Sequence, residues 1–216
     1  MGKFEPATHA DFTPVEQKYL ASPEEKKMLY WQKPVGEAFQ RMATAAAKAG
    51  VTLRIVSAAR NFEYQKNQIW EQKWKRLAKK YPNPAARAAK ILAFSAMPGT
   101  SRHHWGTDVD LNSLNNGDFE RGKGAKTYRW LCAHAAEYGF FQPYTEKNKL
   151  RPDGYNEEKW HWSYAPIADL LTEKCRQLLR NDLLTNFSGS ETASELKIVE
   201  KYVLINPRNA PSSGRK

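Results

Sequence analysis

Ser101-Arg102-His103-His104-Trp105-Gly106-Thr107-Asp108-Val109-Asp110-Leu111 is the stretch that decides how this chain folds. Turn chemistry at Met97-Pro98-Gly99-Thr100 leads into it, and residues 107–111 alternate polar and apolar side chains as a half-buried strand does. Gly106 lets the backbone bend between His103 and Asp110, so an imidazole and a carboxylate can converge. Asp108 and Asp110 share one face of the strand. His104 points away from its neighbour His103, which makes it a pocket wall or a support behind the site.

Working outward, Glu158-Lys159-Trp160-His161-Trp162-Ser163-Tyr164 reads as a second strand, because aromatic side chains suit a pleated, half-buried surface. Within a regular strand residues 158 and 161 face opposite sides, so the two can cooperate only if Glu158 lies just ahead of the strand. His103, Asp110 and His161 form an N, O, N donor set that leaves a coordination position for water, the open arrangement of a catalytic zinc. A carboxylate such as Glu158 beside that water would be the proton acceptor. The competing reading is ordinary: His and Asp also cap turns and satisfy hydrogen bonds in a core.

The remaining segments supply a scaffold. Helical spacing covers Pro34–Lys48, Phe62–Lys80, Pro82–Phe94, Ala125–Tyr138 and Pro166–Leu184, and strand-like runs cover 51–57, 140–141 and 196–205. These predict an α+β domain, a small and mainly antiparallel sheet carrying the site with helices on one side. Residues 1–33 read as an irregular arm, 34–205 as the domain, with its motifs between 50 and 165, and 206–216 as a disordered tail. The two cysteines, Cys132 and Cys175, form no C-x-x-C pair and read as buried helical thiols, with a disulfide as the alternative. No apolar run approaches the roughly 18 to 20 residues of a membrane span, and the opening residues lack the apolar centre of a signal peptide. Lys plus Arg total 34 against 23 for Asp plus Glu, a net charge of +11 that suits anionic partners, yet no nucleic-acid motif accompanies it.

Three ordered segments resemble a known family. Ser57-Ala58-Ala59-Arg60-Asn61-Phe62-Glu63-Tyr64-Gln65, then Ser101-x-His103-x-x-Gly106-x-x-x-Asp110, then Glu158-x-Trp160-His161 are similar to the signatures of the zinc D-Ala-D-Ala carboxypeptidases and dipeptidases. That family includes the vancomycin-resistance D,D-carboxypeptidases and shares its fold with the Hedgehog signalling domain. The resemblance implies one zinc on His103, Asp110 and His161, and Glu158 as general base and acid. It implies that Arg60 steadies the substrate, and Ser101 and Gln65 would line the pocket as hydrogen-bond donors. Trp160 would wall the cleft. The three-residue step to His161 selects Glu158 over its neighbour Glu157. The chain departs from the pattern at Asp108, where the family usually carries a small residue; Asp108 could orient a ligand, add negative charge or compete for the ion.

The implied reaction is removal of D-alanine from peptidoglycan stem peptides in the cell envelope, which presupposes a secretory leader already removed. L,D-carboxypeptidase, D,D-dipeptidase and endopeptidase activities, or a zinc-containing binding module without catalysis, are the alternatives the residues leave open. Neither a nucleic-acid partner nor a membrane span is expected.

Overall fold

Alternation along two strands separates the core from the site. Phe12–Pro14 (β1) pairs antiparallel with Tyr30–Gln32 (β2), and Lys33–Lys48 (α1) follows directly. Ile55–Ser57 (β3) starts the main sheet, which is completed by Asp108–Leu111 (β4), Phe140–Phe141 (β5) and His161–Tyr164 (β6) in the order β3-β4-β6-β5, every pair antiparallel. Asp108 lies opposite Ser163, Val109 opposite Trp162, and Asp110 opposite His161. Val109, Leu111 and Trp162 therefore join a core with Val35, Ala38, Phe39, Met42 and Ala46 of α1, while Asp108, Asp110, His161 and Ser163 take the other face. This is the expected α+β architecture, computed as a structural model that describes residues 1–24, 28–149 and 151–205. The expected disordered tail lies outside those residues.

A second apolar cluster flanks the site face. Phe62–Tyr64 (α2), a π-helical segment at Gln65–Trp70 and Glu71–Leu77 (α3) run on continuously, and Pro84–Ile91 (α4) packs beside them. Phe62, Trp70, Ile91, Leu92 and Met97 bury together with Tyr144, Tyr155, Leu184 and Phe187. Gly122–His134 (α5) and Ala165–Leu178 (α6) complete the helices.

Several boundaries differ from the sequence reading. Residues 51–54 keep alternating burial, but Arg54 exchanges hydrogen bonds with Asn112, whose φ of +63° ends the neighbouring strand, so the ladder begins only at Ile55. The helix expected to reach Lys80 stops at Leu77, and the one expected to reach Leu184 stops at Leu178. The expected strand at 196–205 is instead a π-helical turn, Val199–Val203. Its buried residues Val199 and Val203 follow a helical repeat, with Ile198 buried just ahead of it, and the Asn181 side chain accepts the Val199 N–H where a strand partner would have done so. Apolar β-branched residues suggested a strand, and packing on the second cluster overrode them. The first 33 residues are likewise not wholly irregular, since β1 and β2 pair and Trp31 is buried. Both cysteines are free thiols on helices; Cys132 is exposed and Cys175 half-buried, so neither is the buried thiol expected.

Candidate metal and catalytic site

The turn Arg102–Trp105 ends at Gly106, whose φ of +69° is the left-handed conformation the sequence required. A Cβ there would sit 2.4 Å from the Phe12 ring, so only glycine fits against the arm. Gln32 clamps the same turn, its backbone N–H donating to Gly106 O at 3.0 Å and its side-chain amide to Trp105 O at 2.6 Å. The turn thereby brings His103 back over β4.

There His103 Nε2 lies 3.3 Å from Asp110 Oδ2, and His161 Nδ1 lies 3.2 Å from Asp110 Oδ1. One donor atom from each of the three residues falls within 4.8 Å of the others, and all three side chains are buried. Each imidazole has its remote nitrogen occupied. His103 Nδ1 bonds Ala58 O at 2.8 Å, and His161 Nε2 bonds Asp108 Oδ2 at 2.7 Å. These partners fix the tautomers that turn His103 Nε2 and His161 Nδ1 toward Asp110. His103 Nε2 and Asp110 Oδ1 have no hydrogen-bond partner despite their burial; the neighbours are near enough for ion pairing but wrongly oriented for a hydrogen bond. Buried polar atoms without partners are costly, and a cation among these donors would satisfy them. The residues present fit a zinc ion: two imidazole nitrogens and a carboxylate oxygen, with room for further ligands.

Asp108, the departure from the family pattern, stands behind His161. Its carboxylate accepts from His161, from the Thr107 and Ser163 hydroxyls at 2.6 and 2.7 Å, and from Arg102 Nε at 3.1 Å. Burial raises its pKa, but Arg102 and His161 outweigh burial and hold it well below the usual carboxylate range. The Arg102 guanidinium is buried too, between the Trp105 and Phe141 rings, and donates also to Ser163 and Thr172. Asp108 thus orients His161, and it is aimed away from the three-residue cluster. Asp108→Asn should weaken zinc binding about 10- to 100-fold in a chelator competition, because the imidazole loses the anion that fixes and enriches it; unaltered affinity would show that the contact is dispensable.

Glu158 sits just ahead of β6, where its backbone departs from strand geometry, and Oε2 lies 3.3 Å from His161 Nδ1. Burial raises its pKa, with His161 opposing, which makes the carboxylate a better proton acceptor than an exposed one. What aims it comes from residues distant in the chain. Asn116 bonds both neighbours of Glu158, donating to Glu157 O at 2.8 Å and accepting from Lys159 N–H at 2.9 Å. Tyr144 O accepts the Glu158 N–H at 2.9 Å, and the Tyr144 ring packs on His161 at 4.6 Å. Arg102, Asn116 and Tyr144 are the site residues that sequence reasoning missed.

Arg60 is anchored through its backbone: its N–H donates to His103 O at 3.1 Å, and its carbonyl accepts from His104 Nδ1 at 2.7 Å. Its Nη2 lies 3.9 Å from Asp110 Oδ2, and its buried Nε has no partner. His104 also accepts the Gly99 N–H at 3.0 Å, so it braces Arg60 from behind, outside the three-residue cluster. Burial pushes the His104 pKa down to about 3, below the ~6.5 of an unfolded chain. The unfolded state therefore takes up a proton that the folded state refuses, so this stability is present above pH ~6.5 and is lost as pH falls toward 3. In metal-stripped protein His104→Gln should remove roughly 2 kcal/mol of the difference in unfolding free energy between pH 7.5 and pH 5. Equal pH slopes in urea titrations of the two proteins would contradict it.

All of this opens onto a cleft of about 520 Å³ lined by Arg60, Gln65, Ser101, His103, Asp110, Glu158, Trp160 and His161 among others. Gln65 is buried, its amide donates to Ala96 O at 2.8 Å, and its Oε1 is free. Trp160 stacks with Phe94 at 6.4 Å to form an aromatic wall.

Known proteins resemble the chain in sequence and in fold. The family model described as VanY, D-alanyl-D-alanine carboxypeptidase, matches residues 28–167. A D-alanyl-D-alanine carboxypeptidase of Enterococcus faecalis is 32% identical over 128 residues, covering 59% of this chain and 46% of the relative; the chain matches about half the length of such curated relatives. Among solved structures, the vancomycin-resistance D,D-pentapeptidase VanY from a VanB-type cassette, in complex with Zn(II), aligns with a TM-score of 0.54 and 25% identity over 77% of this chain and 89% of its own. VanYB in complex with D-Alanine-D-Alanine aligns with a TM-score of 0.55 and 26% identity over 79% and 88%.

Proposed function

The chain belongs to the VanY D-alanyl-D-alanine carboxypeptidase family, and from that membership and the geometry of the cleft we propose that it is a zinc-dependent carboxypeptidase removing terminal D-alanine from peptidoglycan stem peptides. The observation that carries the reading is the convergence of His103, Asp110 and His161, with uncommitted buried donor atoms, beside a buried Glu158. Zinc held by those three side chains supplies the Lewis acidity that polarises a scissile carbonyl and acidifies water.

The chain's own residues do the rest. Glu158 takes a proton from the attacking water as the oxygen bonds to the carbonyl carbon, then delivers it to the leaving amine as the C–N bond breaks. Arg60, fixed at both backbone groups, offers its planar donors to the terminal carboxylate or to the oxyanion formed by attack. Gln65 Oε1 is placed to accept an amide N–H, and the Ser101 hydroxyl lines the same wall. Trp160 and Phe94 give the cleft an apolar side suited to alanine methyl groups.

Zinc-loaded protein incubated with a stem pentapeptide ending in D-Ala-D-Ala should yield the tetrapeptide and free D-alanine by mass spectrometry. An intact pentapeptide would contradict the assignment. The same instrument separates the alternatives, since an L,D-carboxypeptidase shortens the tetrapeptide, a dipeptidase splits free D-Ala-D-Ala, and an endopeptidase opens cross-links. Stem peptides lie outside the cytoplasmic membrane, so the proposed substrate places the protein in the cell envelope. Among the described residues no helix is long and apolar enough to cross a membrane.

A further inference from the structure

One wall of the cleft carries positive charge that the reaction above does not use. Gln65, Gln68, Ile69, Gln72, Lys73 and Arg76 all line it, at the three- and four-residue steps of one helix face. The acids of the same helical run turn elsewhere: Glu71 accepts from Ser188, and Glu63 from Asn67. Lys73 is half-buried, and its ammonium donates to the Ser95 hydroxyl, a neutral partner. Among the described residues no carboxylate pairs with Lys73 or Arg76. Burial lowers the Lys73 pKa, and the cations Arg76 and Arg60 lower it further, with Glu158 opposing. An ammonium removed from water and crowded by like charge is stabilised by an arriving anion.

Resting on the carboxypeptidase reading, we infer that Lys73 and Arg76 form a second anion subsite in the cleft, which binds a carboxylate of the stem peptide other than the one met by Arg60. The two cationic stations have different settings. Arg60 stands beside the three-residue cluster, 3.9 Å from Asp110, whereas Lys73 stands along the helix at Ser95. Free D-Ala-D-Ala has a single carboxylate and can satisfy only one station. A stem peptide whose γ-linked glutamate keeps its α-carboxylate has an anion to spare, and its amidated form lacks it. Gln68 and Gln72 flank the cations with groups that can bond to a peptide backbone. Lys73 and Arg76 are thereby specificity residues, selecting for an acidic acyl portion of the substrate.

The test compares two stem pentapeptides that differ only in whether that α-carboxylate is free or amidated. Binding is measured by calorimetry on zinc-loaded Glu158→Ala protein, and hydrolysis on the wild type. The acidic peptide should bind roughly tenfold more tightly at low salt, with the advantage shrinking as salt is raised. Adding Lys73→Met and Arg76→Gln together should bring the ratio to about one, and Lys73→Arg alone should preserve most of it. Matched circular dichroism spectra and melting temperatures separate loss of the subsite from loss of fold. A ratio near one in the parent protein, or one that survives the double substitution, overturns the subsite. If the wild type hydrolyses neither peptide, the reaction assignment fails instead, and the binding ratio still decides the subsite.

Discussion

Glu158→Ala should lower kcat for a D-Ala-D-Ala pentapeptide by roughly 10³-fold while zinc remains at about one per chain, within the 10²- to 10⁴-fold range of general acid–base catalysis. The two halves of that result come from different features of the site. Glu158 is buried and adjoins His161, but it is not needed to complete the N, O, N set of His103, Asp110 and His161. Deleting its carboxylate removes the proposed proton acceptor and leaves those three donors in place. Because the proposed role is on the reacting water, the loss should fall on kcat far more than on KM. Stoichiometric zinc with undiminished turnover would remove Glu158 from the mechanism; loss of zinc would make it a ligand.

Asp110→Ala should have the opposite pattern, losing the metal and therefore the reaction. Asp110 is the residue common to the whole arrangement, within 3.3 Å of His103, within 3.2 Å of His161 and 3.9 Å from Arg60. Without it two imidazoles remain, too few for tight zinc binding in competition with buffer. Zinc content should fall to a small fraction of one per chain, with turnover at least ~10³-fold lower. Melting supplies an independent readout. Zinc at a thousandfold excess over its dissociation constant stabilises a folded protein by about 4 kcal/mol, so zinc should raise the wild-type Tm by several degrees and leave Asp110→Ala unmoved. A variant whose Tm still rises with zinc would place the ion elsewhere.

The strand carrying Asp108 and Asp110 was legible because alternation is local: Val109 and Leu111 face the core, and the aspartates must face away. Gly106 was legible for a similar reason, as a bend followed by a strand. The position of Glu158 ahead of β6, rather than within it, answers the one spacing that an ideal strand forbade. What could not be read depends on partners distant in sequence. Asn116 reaches across to Glu157 and Lys159, and Arg102 to Ser163 and Thr172; nothing near either residue announces those contacts. The motif alone admits three roles for Asp108; its carboxylate lies against His161 Nε2, on the side away from Asp110. The π-helical turn at Val199–Val203 replaced an expected strand because Ile198, Val199 and Val203 found a ready apolar surface, which composition alone does not reveal.

Zinc K-edge X-ray absorption of the zinc-loaded wild-type protein decides whether the ion sits among His103, Asp110 and His161. Two imidazole ligands, with oxygen donors completing the shell, are expected. Sulfur in that shell, from Cys132 or Cys175, or fewer than two imidazoles, would contradict it.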